Sequence, residues 1–189
     1  RVPITVTPEL QMWGRVHQIS LRDFYLVPEV YVSFQLRTKL FAFDNFSDDR
    51  PIDRYIWMWF GTPFEGSLFD VPYRFYDDLE PEPFEERKYQ TCAEAAEAIA
   101  QPDFRSSGMM PIVHRVYEGS LELLPDDYDL DFPDYIQTPL ATACQLLGVD
   151  KLVMEAYDHP ADFVRLLRRL MDIRVAYRQQ RAEFLGTDL

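Results

Sequence analysis

The sequence predicts an α/β fold, and three observations carry that prediction. Tyr55-Ile56-Trp57-Met58-Trp59-Phe60 is a short continuous apolar run ended by Gly61, which suits a strand buried on both faces, as in a parallel sheet. Residues 129–137 carry a weaker alternation and lead straight into Thr138-Pro139, a strand-to-helix junction. A long amphipathic segment, Pro160 to Leu185, is followed by Gly186, and in an alternating α/β protein a helix closed by glycine precedes the next strand.

Local signals support the remaining elements in chain order. Aromatic residues make up 15% of the chain, and many fall between residues 13 and 89, interleaved with acidic ones, as in a segment that covers a core or lines a pocket. Val30, Val32, Phe34, Leu36, Thr38 and Leu40 alternate as a strand would, but Pro28-Glu29 is a helix start and the stretch is long for one strand; helix is the preferred reading. Asp77, Asp78, Glu80, Glu82, Glu85 and Glu86, with Pro81 and Pro83 among them, read as an exposed loop. Thr91 with Glu94 is a capping-box pattern opening an Ala-rich helix that ends before Pro102. Thr138 and Pro139 open a helix through Leu147 closed by Gly148, and residues 149–157 make another short helical piece. In the last helix Phe163, Leu166, Leu167, Leu170, Ile173 and Tyr177 repeat on one face, while Arg165, Arg168, Arg169, Arg178 and Arg181 mostly take the others.

Composition narrows the function. The chain has 189 residues, 47% of them hydrophobic and 27% charged, which is ordinary globular usage. Nineteen Lys+Arg against 32 Asp+Glu give a net charge of -13, a field that repels phosphate backbones and anionic lipid, so neither nucleic acid nor membrane is an expected partner. The acidity is N-terminal, because residues 151–189 hold 7 basic and 6 acidic groups. No run of 18 apolar residues and no signal-peptide pattern is present, and a cytoplasmic protein is expected. Cys92 and Cys144 are too few for a disulfide framework and read as reduced thiols. Residue 1 is Arg rather than Met, and the sequence reads as part of a longer protein.

Residues 135–186 carry a resemblance. Tyr135-Ile136-Gln137-Thr138-Pro139-Leu140-Ala141-Thr142-Ala143-Cys144-Gln145-Leu146-Leu147-Gly148, then Leu152-Val153-Met154-Glu155-Ala156-Tyr157-Asp158-His159-Pro160 and the long helix, resemble the uroporphyrinogen decarboxylase superfamily. There a strand runs into a Gly-Pro-Leu/Phe-x-x-Ala-x-x-Leu-x-Gly helix, a short helix and an Asp-Pro-opened helix follow, and Thr138 stands where Gly is usual. Residues 57–61 and 107–117 match more loosely. The resemblance implies a (β/α)8 TIM barrel of which this chain is the N-terminal part, with residues 1–50 as a cover segment and 51–189 as the first barrel strands and helices. Gly186-Thr187-Asp188-Leu189 would then begin the fourth strand. Half a barrel exposes sheet edges and apolar helix faces, so the remainder of the barrel or a partner chain is an expected partner.

The superfamily includes porphyrinogen decarboxylases and zinc-dependent methyltransferases that exchange methyl groups among corrinoid proteins, thiols and aryl ethers. The decarboxylases carry an early Trp-Arg-Gln-Ala-Gly-Arg-Tyr motif whose arginines hold substrate acetates. Here the segment reads Met12-Trp13-Gly14-Arg15-Val16-His17-Gln18, with one arginine, and Gln145 stands where they place a Tyr. The resemblance therefore favours a zinc-dependent methyltransferase working with a corrinoid protein or a thiol acceptor. The zinc ligands of that branch, a His-x-Cys pair and a later Cys, are expected outside this segment. A polycarboxylate decarboxylase with a diverged clamp around Arg15 and a non-catalytic subunit that completes a partner's barrel are the alternatives.

Candidate site residues follow from the barrel expectation, because ligands meet the C-terminal ends of barrel strands. Gly61 and Thr62 follow one candidate strand and Gln137 and Thr138 another; with Trp59 and Gln145 as pocket walls, these six are the expected contacts for a small-molecule substrate. His17, His114 and His159 with Cys92 and Cys144 show no metal-ligand spacing, so no metal ligand is assigned to this chain. Cys144 reads as a small core residue, His159 as structural at a helix start and His114 as a surface or interface residue. Glu65 and Asp70 are acid/base candidates by location alone, and the sequence assigns no catalytic residue.

Overall fold

The computed structural model describes residues 2–51, 53–84 and 87–187. Along the chain run α1 (Leu10–His17), α2 (Leu21–Leu26), α3 (Pro28–Asn45), β1 (Tyr55–Ile56), α4 (Phe64–Ser67), β2 (Tyr73–Arg74) and β3 (Glu82–Pro83). After them come α5 (Cys92–Ala98), α6 (Met110–Leu123), β4 (Asp129–Leu130), α7 (Pro139–Leu147), α8 (Val149–Asp158) and α9 (Pro160–Leu185). The fold is α-rich with few strands. Among the described residues, strand pairing is confined to β1 with β4, parallel, and β2 with β3, antiparallel. The parallel pair is the α/β feature the sequence predicts; the two pairs by themselves do not make a barrel wall. Among these residues no helix is long and apolar enough to cross a membrane. Asp188 and Leu189, half of the expected fourth-strand start, lie outside the described residues, as do Glu85 and Glu86 of the acidic stretch.

The chain divides into two compact units. The first comprises Arg1–Trp59, Phe75–Pro81 and Ile112–Asp131. In it α1, α2 and α3 pack together. Ser20 caps α2 by accepting the Asp23 N–H, and Pro28 sits in the first turn of α3, where its missing N–H costs no hydrogen bond. Phe24, Tyr31 and Phe34 form the aromatic core of this helical layer, with Phe24 and Phe34 ring centroids 4.5 Å apart. The acidic stretch is not merely a loop here: Asp77 accepts the Leu21 N–H and the Ser20 hydroxyl.

The strand expectations need correction. Only Tyr55 and Ile56 of the apolar run make ladder bonds, pairing with Asp129 and Leu130. The run is not buried on both sides: Ile56, Met58 and Phe60 are buried, whereas Tyr55 and Trp57 are exposed and Trp59 lies between. Six apolar residues in a row here mean one core face and one aromatic face.

The second unit comprises Phe60–Arg74, Glu82–Pro111 and Phe132–Leu189. Its organiser is α9, which packs against α5, α7 and α8. Leu166, Leu170, Ile173 and Tyr177 are buried along it, as their spacing predicts, each contributing about 1.5–3 kcal/mol by burial. The caps follow the sequence as well. Thr91 accepts from the Glu94 N–H at the start of α5, Thr138 from the Ala141 N–H at the start of α7, and Gly186 closes α9 at φ 64°.

Beyond Leu130 the expected strand does not continue to Gln137. Three arginines of α9 take its carbonyls and acid instead. Arg181 donates to the Phe132 carbonyl, Arg178 pairs with Asp134, and Arg174 donates to the Tyr135 and Gln137 carbonyls. Positions 174, 178 and 181 share one helix face, so the backbone of 132–137 is satisfied by side chains rather than by a neighbouring strand.

Candidate functional site

The loop after Phe60 opens with Gly61 at φ 81°, a left-handed conformation that disfavours any side chain. Next to it, the Thr62 carbonyl accepts two side-chain amides, Gln137 Nε2 at 2.7 Å and Gln145 Nε2 at 2.9 Å. Gln145 Nε2 also donates to Gln137 Oε1 at 3.0 Å. Thus Thr62, Gln137 and Gln145, far apart in sequence, come together in one hydrogen-bonded cluster of the second unit. Gln145 Oε1 is buried without a hydrogen-bond partner among the described residues.

Glu65 lies beneath this cluster and is 2% exposed. Its carboxylate accepts the Gln137 backbone N–H at 2.7 Å and the Thr142 hydroxyl at 3.0 Å. Burial pushes the Glu65 carboxyl above the usual range, against those hydrogen bonds and the nearby Arg174 charge. Tyr135, also buried, has its hydroxyl pushed up by burial and by Glu65, and that oxygen has no partner among the described residues. The arrangement can bind and orient a polar group through amides; it holds no activated nucleophile. Asp70, the other acid considered, is exposed and pairs with Lys88 at 3.0 Å.

The other expected contacts are placed as follows. Thr138 spends its hydroxyl oxygen on the α7 cap. Trp59 belongs to the first unit, where its Nε1 donates to Glu80 Oε2 at 3.0 Å and its ring lines a cavity of about 810 Å³ with Trp13 and Trp57. Arg15 is exposed in the last turn of α1. His114 is not on the surface: it is 6% exposed within α6. Arg174 escaped the sequence reading, although its place between Ile173 and Tyr177, at the edge of the buried face of α9, was the available signal.

The thiols are quiet. Burial, with Glu155 nearby, pushes Cys92 up to about 11, and burial also raises Cys144. Among the described residues no three His, Cys, Asp or Glu side chains gather to hold a metal ion. The residues present therefore do not fit a zinc centre.

No family model matches the sequence, and none of the curated proteins does. Among solved structures, a methyltransferase from Methanosarcina mazei superposes on 99% of this chain with a TM-score of 0.67 at 13% identity. The chain spans 52% of that protein, about half its length. At that identity the likeness is one of fold.

Proposed function

We propose that this chain is the N-terminal, substrate-shaping part of a methyltransferase, a (β/α)8 barrel of the uroporphyrinogen decarboxylase type, with residues 1–50 as cover and 51–189 as first strands and helices. The observation that carries this reading is the fold likeness over 99% of the chain to half of a methyltransferase. The zinc of such an enzyme takes its ligands from sequence outside these residues, and a corrinoid protein or a thiol takes part in methyl exchange. Within this chain, Thr62, Gln137 and Gln145 hold the polar end of a small substrate. Gly61 and Thr138 shape the loops beside them, and Trp59 supplies an apolar wall. Glu65 and Arg174 act through Gln137 by fixing its peptide.

The test uses the full natural polypeptide that contains this chain, given methylcobalamin and a small thiol. Methyl transfer is expected, and Gln137→Leu is expected to lower kcat by about tenfold or more, the effect of losing one substrate hydrogen bond, with metal content unchanged. Absence of methyl transfer to any thiol, or full activity in Gln137→Leu, would overturn the proposal.

A further inference from the structure

Trp13, Trp57 and Trp59 are the three tryptophans of the chain, and all three line the same cavity of the first unit. Its volume, about 810 Å³, falls in the range of small-molecule sites, roughly 300–1,000 Å³. The indoles of Trp57 and Trp59 stack with centroids 5.6 Å apart and planes inclined by 19°, which makes a flat platform. Trp59 has its N–H engaged by Glu80, so it offers the cavity its ring. Phe34 and Phe43 add further aromatic wall.

The charges on the wall are matched among themselves. Lys39 Nζ lies 2.6 Å from Asp53 Oδ1, and Asp48 lies 3.8 Å from Arg50 while accepting the Val6 and Arg50 N–H groups. One polar atom is left over. Thr38 Oγ1 is buried without a hydrogen-bond partner among the described residues, although a helical threonine ordinarily bonds the carbonyl one turn back.

A flat aromatic platform, matched charges and a single unused hydroxyl select one kind of guest. We infer that this cavity binds a neutral, planar aromatic small molecule, its ring on Trp57 and Trp59 and its one polar substituent hydrogen-bonded to Thr38 Oγ1. The inference stands independently of methyl transfer, because it rests on the cavity and is read by binding.

Naphthol and naphthalene serve as probes, titrated against the full natural polypeptide and followed by equilibrium dialysis, with tryptophan fluorescence as a second readout. Saturable binding of naphthol, one per chain and about tenfold tighter than naphthalene, is expected. That ratio corresponds to a hydrogen bond of about 1.4 kcal/mol. Thr38→Val should weaken naphthol about tenfold and leave naphthalene unchanged. Trp57→Ala should abolish binding of both; Trp57 is 46% exposed, so the substitution leaves the core intact, and the thermal midpoint checks this. Phe43→Ala, at another exposed wall position, weakens both probes and replaces Trp57→Ala if that variant does not fold. Absence of saturable naphthol binding, equal binding of the two probes, or a Thr38→Val effect equal on both would overturn the inference.

Discussion

The Glu65 carboxylate accepts the backbone N–H of Gln137 at 2.7 Å, so one buried side chain on α4 fixes the peptide from which the Gln137 amide projects. The partners are 72 residues apart in sequence, and the same carboxylate holds the Thr142 hydroxyl on α7. Glu65→Ala removes both acceptors and leaves a buried N–H unpaired, so unfolding free energy should fall by about 2–4 kcal/mol. Glu65→Gln keeps one acceptor and should cost about 1 kcal/mol, read as a shift in urea midpoint at constant slope.

The pH dependence of that pair of proteins has a definite sign. Burial raises the folded pKa of Glu65 above its unfolded value, so the native state holds the proton more tightly. Its contribution is fully present below the unfolded carboxylate pKa and is lost as pH rises through the folded one. The stability of the parent minus that of Glu65→Gln should therefore be largest in acid and decline toward neutral pH. Urea unfolding of both proteins across the carboxylate range checks it; a difference that grows with pH refutes the assignment.

Two glycines of the second unit should respond differently to alanine. A Cβ on Gly66 would lie 2.0 Å from Gln145 Oε1, the end of a flexible side chain that can swing away. Gly66→Ala should change stability by less than about 1 kcal/mol while releasing Gln145 from the Thr62 carbonyl, visible as a shift of its side-chain amide resonances. A Cβ on Gly108 would lie 2.3 Å from the Ser67 carbonyl oxygen, at φ 53°. Backbone cannot swing away, so Gly108→Ala should cost about 2–4 kcal/mol.

Both thiols should resist alkylation in the native protein. With Cys92 pushed up to about 11 and buried, and Cys144 also raised, thiolate is scarce at neutral pH. Iodoacetamide should label Cys92 on the order of a hundredfold more slowly in the folded chain than in urea, a ratio that follows from its thiolate fraction. Rapid native labelling of Cys92 would contradict the placement.

The outer face of α8 should drive self-association of the isolated chain. Val149, Val153 and Tyr157 repeat at one-turn spacing there and are exposed, Tyr157 at 85%. Val153→Glu combined with Tyr157→Lys replaces apolar surface with an oppositely charged pair. Sedimentation velocity should show a shift toward monomer with the thermal midpoint unchanged.

Helix boundaries were the most legible part of the sequence, because their causes are local. Thr138, Pro139 and Gly148 mark α7 through hydrogen bonds and dihedral angles that span only a few residues. The α3 segment was harder: it has buried aromatic core on one side and cavity wall on the other, so Val30 to Leu40 look apolar in alternation although the chain is helical. The 129–137 stretch misled for another reason. Its alternation is real, with Leu130, Phe132 and Tyr135 buried, but the arginines that satisfy its carbonyls sit on α9, beyond any local pattern. Within the site, Thr62, Gln137 and Gln145 were visible as turn and helix-start residues. Their mutual bonds, and the roles of Glu65 and Arg174, depend on tertiary approach.

The odd-and-even division of residues 55–60 sets what heredity can vary there. Even positions Ile56, Met58 and Phe60 are buried, and odd positions Tyr55, Trp57 and Trp59 line the cavity. Side chains on either parity can be exchanged one at a time. A single inserted or deleted codon, by contrast, exchanges the two sets beyond that point, turning indoles into the core and aliphatic side chains toward the ring platform. Related sequences are therefore expected to differ in letters across this hexapeptide and to agree in its length.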